Sequence, residues 1–344
     1  MQACVIFSAG DLRVVEKPEP RPGPGQVAVG VAVGGICGSD LHYFHDGAVG
    51  DFRVVAPMVL GHEVVGHVVA HGEGVTWPPV GAPVAVDPAT TCGRCDECRS
   101  GRRNLCADSR YLGSAARVPH VQGGFSERIV VPAGQVRRIP AELDLRRAVL
   151  AEPLAVALHA VGRAGSVTGN RLLVTGAGPI GLLIVAASRH AGAAEITVSD
   201  VLAAPLALAA RLGATATVRA DDPDAAGWPE RVDVAFEASG TLAGLSTCLD
   251  RIRPGGTVVQ LGMVGPGDVG VRDNRMVSRE ITLRGSFRFN GEFDEALALL
   301  AGDLDVNAVV SHRFPLADAR SAFDMAADRS IASKVLLDLA SWNQ

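Results

Sequence analysis

The segment RLLVTGAGPIGLLIVAASRHAG, residues 171–192, decides the fold. Its first five residues form an apolar run typical of a buried strand, and residues 182–191 have the apolar spacing of a helix that ends at Gly192. The turn between them follows the pattern G-x-G-x-x-G, which after a strand and before a helix predicts a dinucleotide site. The three glycines permit a tight turn, close approach to a pyrophosphate, and close packing of helix on strand. The predicted cofactor-binding residues of this turn are Gly176, Gly178, Pro179, Ile180 and Gly181.

Strands and helices alternate after this segment. Further strands are predicted at 195–199, 232–237, 256–261 and 281–285, with a helix at 203–212. This alternation predicts an α/β fold with a doubly wound parallel sheet. Asp200 is predicted to accept hydrogen bonds from the ribose hydroxyls of the cofactor, and the lack of Lys or Arg between Asp200 and Arg211 favours NAD over NADP. The alternative is a glycine-rich turn of an ordinary α/β fold.

The segments on either side of this region differ in composition. Residues 1–152 are rich in Val, Gly and Pro, and their short β-like runs predict a barrel or sandwich fragment. From residue 288 onward we expect helices at 292–301 and 317–327, a short linker between them, and a strand at 332–339. Because this last part lacks a core of its own, it is predicted to complete the first domain. The predicted division is a catalytic domain of 1–152 with 288–344 and a cofactor domain of 153–287.

The overall composition limits the classes of function. The chain has 344 residues with 32 basic and 37 acidic side chains, and its formal net charge is −5. Nucleic-acid and anionic-membrane binders need a cationic face, so we expect neither kind of partner. We expect a cytoplasmic protein, because no apolar run approaches the roughly 20 residues that cross a bilayer and no secretory pattern is visible. Only Lys17 and Lys334 among the basic residues are lysines, which we interpret as compositional drift without functional meaning.

Four of the seven cysteines are clustered with the spacing C-x2-C-x2-C-x7-C. They are Cys92, Cys95, Cys98 and Cys106. Because disulfides are rare in a reducing compartment, clustered thiols indicate a metal. Four thiolates can close a tetrahedron around one Zn²⁺ and leave no open position, so the lobe of residues 88–108 is predicted to hold a structural zinc. An iron–sulfur cluster and a pair of disulfides are the alternatives.

A second set of candidate metal ligands is scattered along the chain. Cys37 lies in GGICGSDLHY (34–43), His62 and Glu63 lie in GHE (61–63), and Glu152 lies in AEPLA (151–155). One thiolate, one imidazole and one or two carboxylates leave room for water or substrate, as a catalytic zinc requires. Taken singly, such residues are more often structural, but here they occur together with the dinucleotide turn. Cys37, His62, Glu63 and Glu152 are therefore the predicted ligands, and Glu152 is also counted as catalytic.

The order of these motifs resembles that of the zinc-dependent medium-chain dehydrogenases over essentially the whole chain. The segment EPLAV (152–156) is similar to the polyol branch of that family, typified by sorbitol dehydrogenase, whereas simple alcohol dehydrogenases have a cysteine ligand there. The resemblance implies a GroES-like β-barrel catalytic domain, a Rossmann cofactor domain, one catalytic and one structural zinc, and a homotetramer. It implies NAD as the cofactor, with NADP as the alternative.

The resemblance also implies roles for individual residues. Ser39 is expected to accept the substrate proton and His42 to pass it to solvent, while Tyr43 either lines the substrate pocket or simply packs. For His42 the alternative is a surface position without function. Further cofactor contacts are expected from Leu261, Gly262, Met263, Ser286, Phe287 and Arg288.

The runs at 56–64, 113–115, 119–121, 123–125 and 283–289 resemble dehydrogenases that interconvert L-idonate and 5-keto-D-gluconate. A sugar-acid carboxylate needs a cationic partner, and Arg288 is preferred over Arg110 and Arg117 for that role. Phe289 replaces a tyrosine usual in sorbitol dehydrogenases, which removes a hydroxyl from the substrate side. The alternatives are a sorbitol or xylitol dehydrogenase, a zinc-free quinone reductase, and a zinc-ribbon protein that binds nucleic acid.

Overall fold

The computed structural model describes residues 1–265 and 267–339. Strands dominate its first part. These strands are β1 (Gln2–Ser8), β2 (Asp11–Glu16), β3 (Gln26–Gly35), β4 (Ala48–Val49), β5 (Phe52–Arg53), β6 (Met58–Val59), β7 (Glu63–His71), β8 (Pro83–Val86), β9 (Ala89–Thr90), β10 (Arg110–Tyr111), β11 (Arg128–Pro132) and β12 (Val136–Arg138). The helices of this part are α1 (Gly38–Asp46), α2 (Asp96–Arg99) and α3 (Leu145–Ala148), with 3₁₀ turns at Arg103–Leu105 and Ala133–Gln135.

Helices and strands alternate in the second part. Its elements are α4 (Ala151–Ala164), β13 (Arg171–Thr175), α5 (Pro179–His190), β14 (Glu195–Asp200), α6 (Ala203–Arg211), β15 (Ala216–Arg219), β16 (Val232–Glu237), α7 (Leu242–Arg251), β17 (Ile252–Gln260), α8 (Asp273–Ser278) and β18 (Thr282–Gly285). The chain then continues through α9 (Phe293–Ala301), β19 (Val310–Pro315), α10 (Ala319–Ala327) and β20 (Lys334–Asp338), with 3₁₀ turns at Asn307–Val309 and Leu316–Asp318.

One seven-stranded sheet joins the two ends of the chain. Its order is β12-β8-β7-β3-β20-β19, and β11 also pairs with β3. Because β20 pairs antiparallel with β3, the C-terminal strands extend a sheet that the N-terminal part begins. Side chains from both ends share one apolar core, which includes Ile6, Phe44, Phe125, Phe323 and Leu337.

Strand β19 occupies a stretch for which the sequence predicts a linker, and that prediction was wrong. Its side chains are alternately half-buried and exposed, and Ser311, His312 and Arg313 hold three of its six positions, so the sequence carries no clear strand pattern. Pairing with β20 in parallel register supplies the order that the local sequence does not specify.

The second sheet has the order β15-β14-β13-β16-β17-β18, and every neighbouring pair is parallel. It confirms the predicted doubly wound α/β fold. Carboxyl ends of parallel strands meet at one edge of a sheet, which is where ligands bind in such folds. The glycine turn, Asp200, and the segments that begin at Leu261 and Ser286 all follow strands at this edge. Every helix among the described residues is too short or too polar to span a membrane.

Candidate metal and cofactor site

Cys37, His62 and Glu63 come together where β3 ends and β7 begins. Cys37 caps the start of α1 directly after β3, and the pairing of Gly35 with Glu63 places the two strands side by side. One ligand atom from each of the three residues lies within 4.8 Å of the others. The structure thus unites three of the four residues predicted to hold the catalytic metal, although 25 residues separate Cys37 from His62 in the sequence.

Glu63 is fully buried against Lys334. The Lys334 ammonium donates to both carboxylate oxygens, at 2.7 and 2.8 Å, and to the Ile36 carbonyl at 3.1 Å. Burial raises the pKa of Glu63 to about 7, even though the Lys334 charge lowers it. A side chain at Gly35 would collide with the Glu63 carboxylate, so glycine is required there. The interpretation of the lysines as drift was wrong for Lys334, because Lys334 neutralises the buried Glu63 carboxylate, one of the three grouped candidate metal ligands.

Glu152 lies in the first turn of α4, next to this cluster. Its Oε1 accepts a hydrogen bond of 2.6 Å from the Tyr111 hydroxyl, and the Tyr111 ring lies 5.6 Å from the His62 ring. Burial raises the pKa of Tyr111 well above its usual value, and the Glu152 charge raises it further, so the phenol keeps its proton and donates. Glu152 is not part of the tight group formed by the other three predicted ligands.

Asp40 holds the backbone that carries Cys37 and His62. Its buried carboxylate accepts hydrogen bonds from the backbone amides of Cys37 at 3.0 Å and Gly61 at 3.1 Å. One of its oxygens lies 4.0 Å from Nδ1 of His62. Burial raises the pKa of Asp40, while the His62 charge and the two amides lower it. Asp40 therefore fixes the backbone on both sides of the site.

The donor set suits a divalent cation. Burial lowers the pKa of His62, but the Cys37 thiolate, Asp40 and Glu152 together raise it to about 10. The protein thus concentrates negative charge around a sulfur, a nitrogen and an oxygen donor, which is the ligand chemistry of zinc. By this test the residues fit a zinc ion.

The four cysteines of the lobe also converge, with their sulfur atoms within 4.8 Å of one another. Backbone amides of Arg94 and Cys95 lower the pKa of Cys92 to about 6, which favours a thiolate. Neither α2 nor the turn at Arg103–Leu105 buries any residue, so the lobe has almost no apolar core. Its donor chemistry fits a closed zinc site, and metal ligation is the obvious source of its order.

The lobe docks on the loop after β18. The Asn104 side chain donates to the Phe287 carbonyl at 2.9 Å, and the Arg103 amide donates to the Asn290 side chain at 2.9 Å. Asn290 in turn donates to the Gly101 carbonyl at 2.5 Å. These bonds tie the four-cysteine lobe to the segment that carries Arg288.

Arg288 follows β18 and packs on Tyr111, whose hydroxyl bonds Glu152. Its guanidinium carbon is 4.0 Å from the centre of the Tyr111 ring, and its Nη1 donates to the Ser109 hydroxyl at 3.1 Å. Its φ of 53° is a left-handed conformation that is uncommon outside glycine. Burial lowers the pKa of Arg288, whereas Tyr111, Glu152 and Tyr43 raise it. The other candidate cations point elsewhere: Arg117 pairs with Asp108 at 3.2 Å, and Arg110 is exposed.

The three predicted catalytic residues of α1 have different surroundings. Ser39 is half-buried. His42 is exposed, and its Nδ1 lies 3.0 Å from the Asp46 carboxylate. Tyr43 is buried, and its hydroxyl accepts a hydrogen bond from the Ala115 amide at 3.0 Å.

The glycine turn has the geometry of a phosphate cradle. Gly178 caps α5 and Pro179 begins it, so the helix amino terminus faces the turn. A side chain at Gly178 would meet nothing within 4 Å, whereas one at Gly181 would collide with the Gly176 carbonyl. The second glycine therefore leaves open space for a ligand, and the third allows close packing, so these residues fit a dinucleotide.

Asp200 ends β14 beside this turn. Its carboxylate accepts from the amides of Ala177 at 2.8 Å and Leu202 at 3.1 Å. It also pairs at 2.6 Å with Arg329 from the C-terminal segment. The sequence argument for NAD considered only nearby basic residues, and the fold brings a distant one to this carboxylate. Met263 and Phe287, two of the other predicted cofactor contacts, are exposed at the same sheet edge.

The family to which the chain belongs follows from two matches. The alcohol dehydrogenase GroES-like domain matches residues 23–141, and the zinc-binding dehydrogenase family matches residues 179–302. Together these matches span more than half of the chain. The chain belongs to the zinc-dependent medium-chain dehydrogenases.

Relatives place this medium-chain dehydrogenase in the polyol branch. L-idonate 5-dehydrogenase (NAD(P)(+)) of Escherichia coli (strain K12) is 40% identical over 340 residues, which cover 98% of each chain. Sorbitol dehydrogenase of Bacillus subtilis (strain 168) is 33% identical over 333 residues, or 95% of this chain and 93% of that one. The crystal structure of L-idonate 5-dehydrogenase from Escherichia coli matches with a TM-score of 0.91 at 38% identity, covering 98% of each chain. The predicted family and its two-domain fold class are confirmed.

Four residues that sequence reasoning did not select bond the predicted site residues or their backbone: Asp40, Tyr111, Lys334 and Arg329. Asp40 had a local signal, because an acid three residues after a helix cap can bond the capping amide. Lys334 had a signal in the composition, because it is one of only two lysines among 32 basic residues. Tyr111 and Arg329 had no local signal.

Proposed function

We propose that this chain is an L-idonate 5-dehydrogenase that converts L-idonate reversibly to 5-keto-D-gluconate with NAD or NADP. One observation carries the proposal: the half-buried Arg288 guanidinium lies against Tyr111, whose hydroxyl bonds Glu152 beside the Cys37 and His62 cluster. Ser109 accepts a bond from one end of the guanidinium, so further N–H donors remain for a planar carboxylate. Sorbitol and xylitol carry no such carboxylate. The similarity to L-idonate 5-dehydrogenase of Escherichia coli supports the same substrate.

The catalytic metal would be held by Cys37 and His62, with Glu63 or Glu152 as the oxygen donor. Zinc bound there supplies Lewis acidity, which lowers the pKa of a substrate hydroxyl and stabilises the alkoxide. Asp40 holds the backbone of both ligand segments, and Lys334 keeps Glu63 neutralised within the core. Tyr111 keeps Glu152 in place through its hydroxyl.

Ser39 and His42 form the proposed route for the proton. We infer that Ser39 Oγ takes the proton of the substrate hydroxyl and that His42 releases it to water. The exposure of His42 supports this role, because its imidazole is in contact with solvent water. The glycine turn and Asp200 would hold the dinucleotide, whose nicotinamide accepts the hydride.

We further propose one catalytic and one structural zinc per chain, and a homotetramer in the cytoplasm. The two ligand groups, one with three residues and one with four cysteines, support the zinc count. Metal analysis of the purified protein should give two zinc ions per chain, and Cys98→Ser should leave one. A single zinc in the unaltered protein would contradict the count.

Initial rates with L-idonate, sorbitol and xylitol, each with NAD and NADP, test the proposed substrate. We expect the highest kcat/KM with L-idonate. A higher value with sorbitol or xylitol would assign the chain to the polyol dehydrogenases instead.

Arg288→Ala tests the observation on which the proposal rests. We expect KM for L-idonate to rise about tenfold or more, because a charge-assisted bond to the carboxylate is lost, while sorbitol kinetics change little. Arg284→Ala is the matched control, because Arg284 is an exposed arginine of the same segment that donates to the Arg163 carbonyl. Equal losses for L-idonate and sorbitol in Arg288→Ala would remove the carboxylate assignment.

A further inference from the structure

Arg329, from the C-terminal segment, pairs with Asp200, the residue predicted to hold the ribose of the cofactor. Its Nη2 lies 2.6 Å from Oδ2 of Asp200, although 129 residues separate them in sequence. The Asp200 side chain is 3% exposed and the Arg329 side chain is 46% exposed. The buried carboxylate is thus neutralised by a guanidinium that still faces solvent.

Hydrogen bonds within the turn that carries Arg329 hold its backbone in place. The Asp328 carboxylate accepts bonds from the amide of Ser330 at 3.0 Å and from its hydroxyl at 2.5 Å. The Asp328 carbonyl accepts from the Ala332 amide at 2.9 Å. Because β20 follows immediately within the seven-stranded sheet, this turn is held by one sheet and presents Arg329 to the other.

Arg329 also lines a cleft beside the glycine turn. Gly178, Pro179, Pro205, Arg329 and Ser333 are among the residues that line it. Because the Arg329 guanidinium also pairs with Asp200, Arg329 adjoins both the phosphate cradle and the acid predicted to hold the ribose, where the adenosine part of a dinucleotide belongs.

A lone Asp200 would repel a 2′-phosphate, which adds close to two negative charges. Arg329 cancels the charge of Asp200 and retains exposed donors in the planar arrangement that matches phosphate. Arg219 is a nearby cation on β15, but its guanidinium is held by both oxygens of Asp221, at 2.9 and 2.5 Å. Arg329 is the better placed of the two for a ligand phosphate.

We propose that Arg329 allows the adenosine site to accept a 2′-phosphate beside Asp200, so that the protein binds NADP as well as NAD. The inference rests on the proposed use of a dinucleotide and concerns only which phosphates of that dinucleotide are recognised. It makes Arg329, supplied by the opposite sheet, the residue that sets cofactor specificity.

Calorimetric binding of adenosine 2′,5′-bisphosphate and AMP to the full-length, zinc-loaded protein tests this proposal. The unaltered protein should bind the bisphosphate at least as tightly as AMP. Arg329→Ala should raise the Kd of the bisphosphate about tenfold or more, because a charge-assisted phosphate contact is lost, and should leave the Kd of AMP within about threefold. Arg329→Lys should give an intermediate loss, since it keeps the charge but loses the planar donors.

Arg313→Ala is the matched control, because it removes an exposed ion pair with Asp338, is not among the residues that line the cleft, and should alter neither Kd. Equal weakening of both ligands in Arg329→Ala would place the arginine on the 5′-phosphate side and overturn the proposal. A selective loss in Arg219→Ala rather than in Arg329→Ala would also overturn it. Since these fragments lack nicotinamide, their binding is independent of the substrate, and failure of L-idonate oxidation would be a separate result.

Discussion

At the residue scale, the ion pair of Glu63 and Lys334 combines stability with function. Both side chains are at most 2% exposed, and the pair joins the start of β7 to the start of β20. Taking two charges out of water is costly, so such a pair is tolerated mainly where both partners stay matched. The pair therefore connects two strands of the seven-stranded sheet, and it also fixes Glu63 in its position beside Cys37 and His62.

Replacement of the buried lysine should be strongly destabilising. We expect Lys334→Met to lower the free energy of unfolding by about 3–5 kcal/mol, because it leaves the Glu63 charge buried without a partner. Urea titration followed by circular dichroism measures the change. The double variant Glu63→Gln with Lys334→Met is the control and should recover part of the loss. Equal loss in the single and double variants would show that the pairing of charges is not the cause.

The proposed proton route gives a second prediction at this scale. His42→Gln should lower turnover by about a hundredfold, the lower end of what a positioned proton-transfer group contributes. His45→Gln is the matched control, because His45 is exposed on the same helix and has no proposed role. Ser39→Ala should also lower turnover while zinc content stays unchanged. If His42→Gln and His45→Gln retain the same activity, the route through His42 is excluded.

Single residues could be predicted from sequence where the residues that act together lie in one short motif. The glycines of residues 176–181 lie in a short motif between a strand and a helix, and Cys37 and His62 were selected because they occur in the same chain as that motif. Lys334 meets Glu63 across 271 residues, and Arg329 meets Asp200 across 129. Such pairs form only when sheets close, so no local pattern specifies them. The prediction that NAD is preferred over NADP considered only residues near Asp200 in the sequence. It therefore did not take account of Arg329, which meets Asp200 from 129 positions away.

At the element scale, the four-cysteine lobe is a small unit that connects its own cysteine group to the loop that carries Arg288. It buries little apolar surface, and its side chains bond the loop that holds Arg288. A structural metal would therefore order both the lobe and a wall of the substrate pocket.

Loss of the lobe metal should loosen both segments together. We expect Cys95→Ser to increase amide hydrogen exchange across residues 92–106 and also across residues 286–292, where Asn104 and Asn290 make their contacts. Exchange in β13 and β14 is the internal control and should not change. Faster exchange confined to the lobe would show that it does not support the Arg288 loop.

The elements themselves were predicted with uneven success for a physical reason. The inner strands β13, β14 and β16 of the parallel sheet are mostly buried, so their apolar runs are visible in sequence. Strand β19 carries Ser311, His312 and Arg313 at a sheet edge, and only its pairing with β20 makes it a strand. Short or edge strands are specified by their partners more than by their own residues.

At the scale of the whole molecule, the chain crosses between its two sheets, and residues of the two parts meet where Arg329 pairs with Asp200 and where Arg288 packs on Tyr111. The N-terminal strands provide Cys37 and His62, the parallel sheet provides the glycine turn and Asp200, and the last segment provides Arg329 and Lys334. Binding sites between such units depend on their relative placement, which local sequence does not encode. The motifs thus indicated Cys37, His62 and Glu63, which the topology brings together, and their role in catalysis stays a prediction.

The open edge of the parallel sheet is the surface we expect to join two copies of the chain. Strand β18 is last in the order, pairs only with β17 among the described strands, and exposes Leu283 by 38%. At the opposite edge, β15 exposes Arg219, which with Asp221 discourages pairing. A two-fold contact through β18 would extend the sheet across both chains and satisfy its free backbone groups.

Leu283→Lys should break this contact, because equal charges would face each other across the two-fold axis. The mass measured by light scattering should fall to half that of the unaltered protein. Leu242→Lys is the matched control, since Leu242 is 39% exposed on the same unit but lies on α7, and it should leave the mass unchanged. An unaltered protein that is already a single chain in solution, or a Leu283→Lys variant of full mass, would place the contact between copies elsewhere.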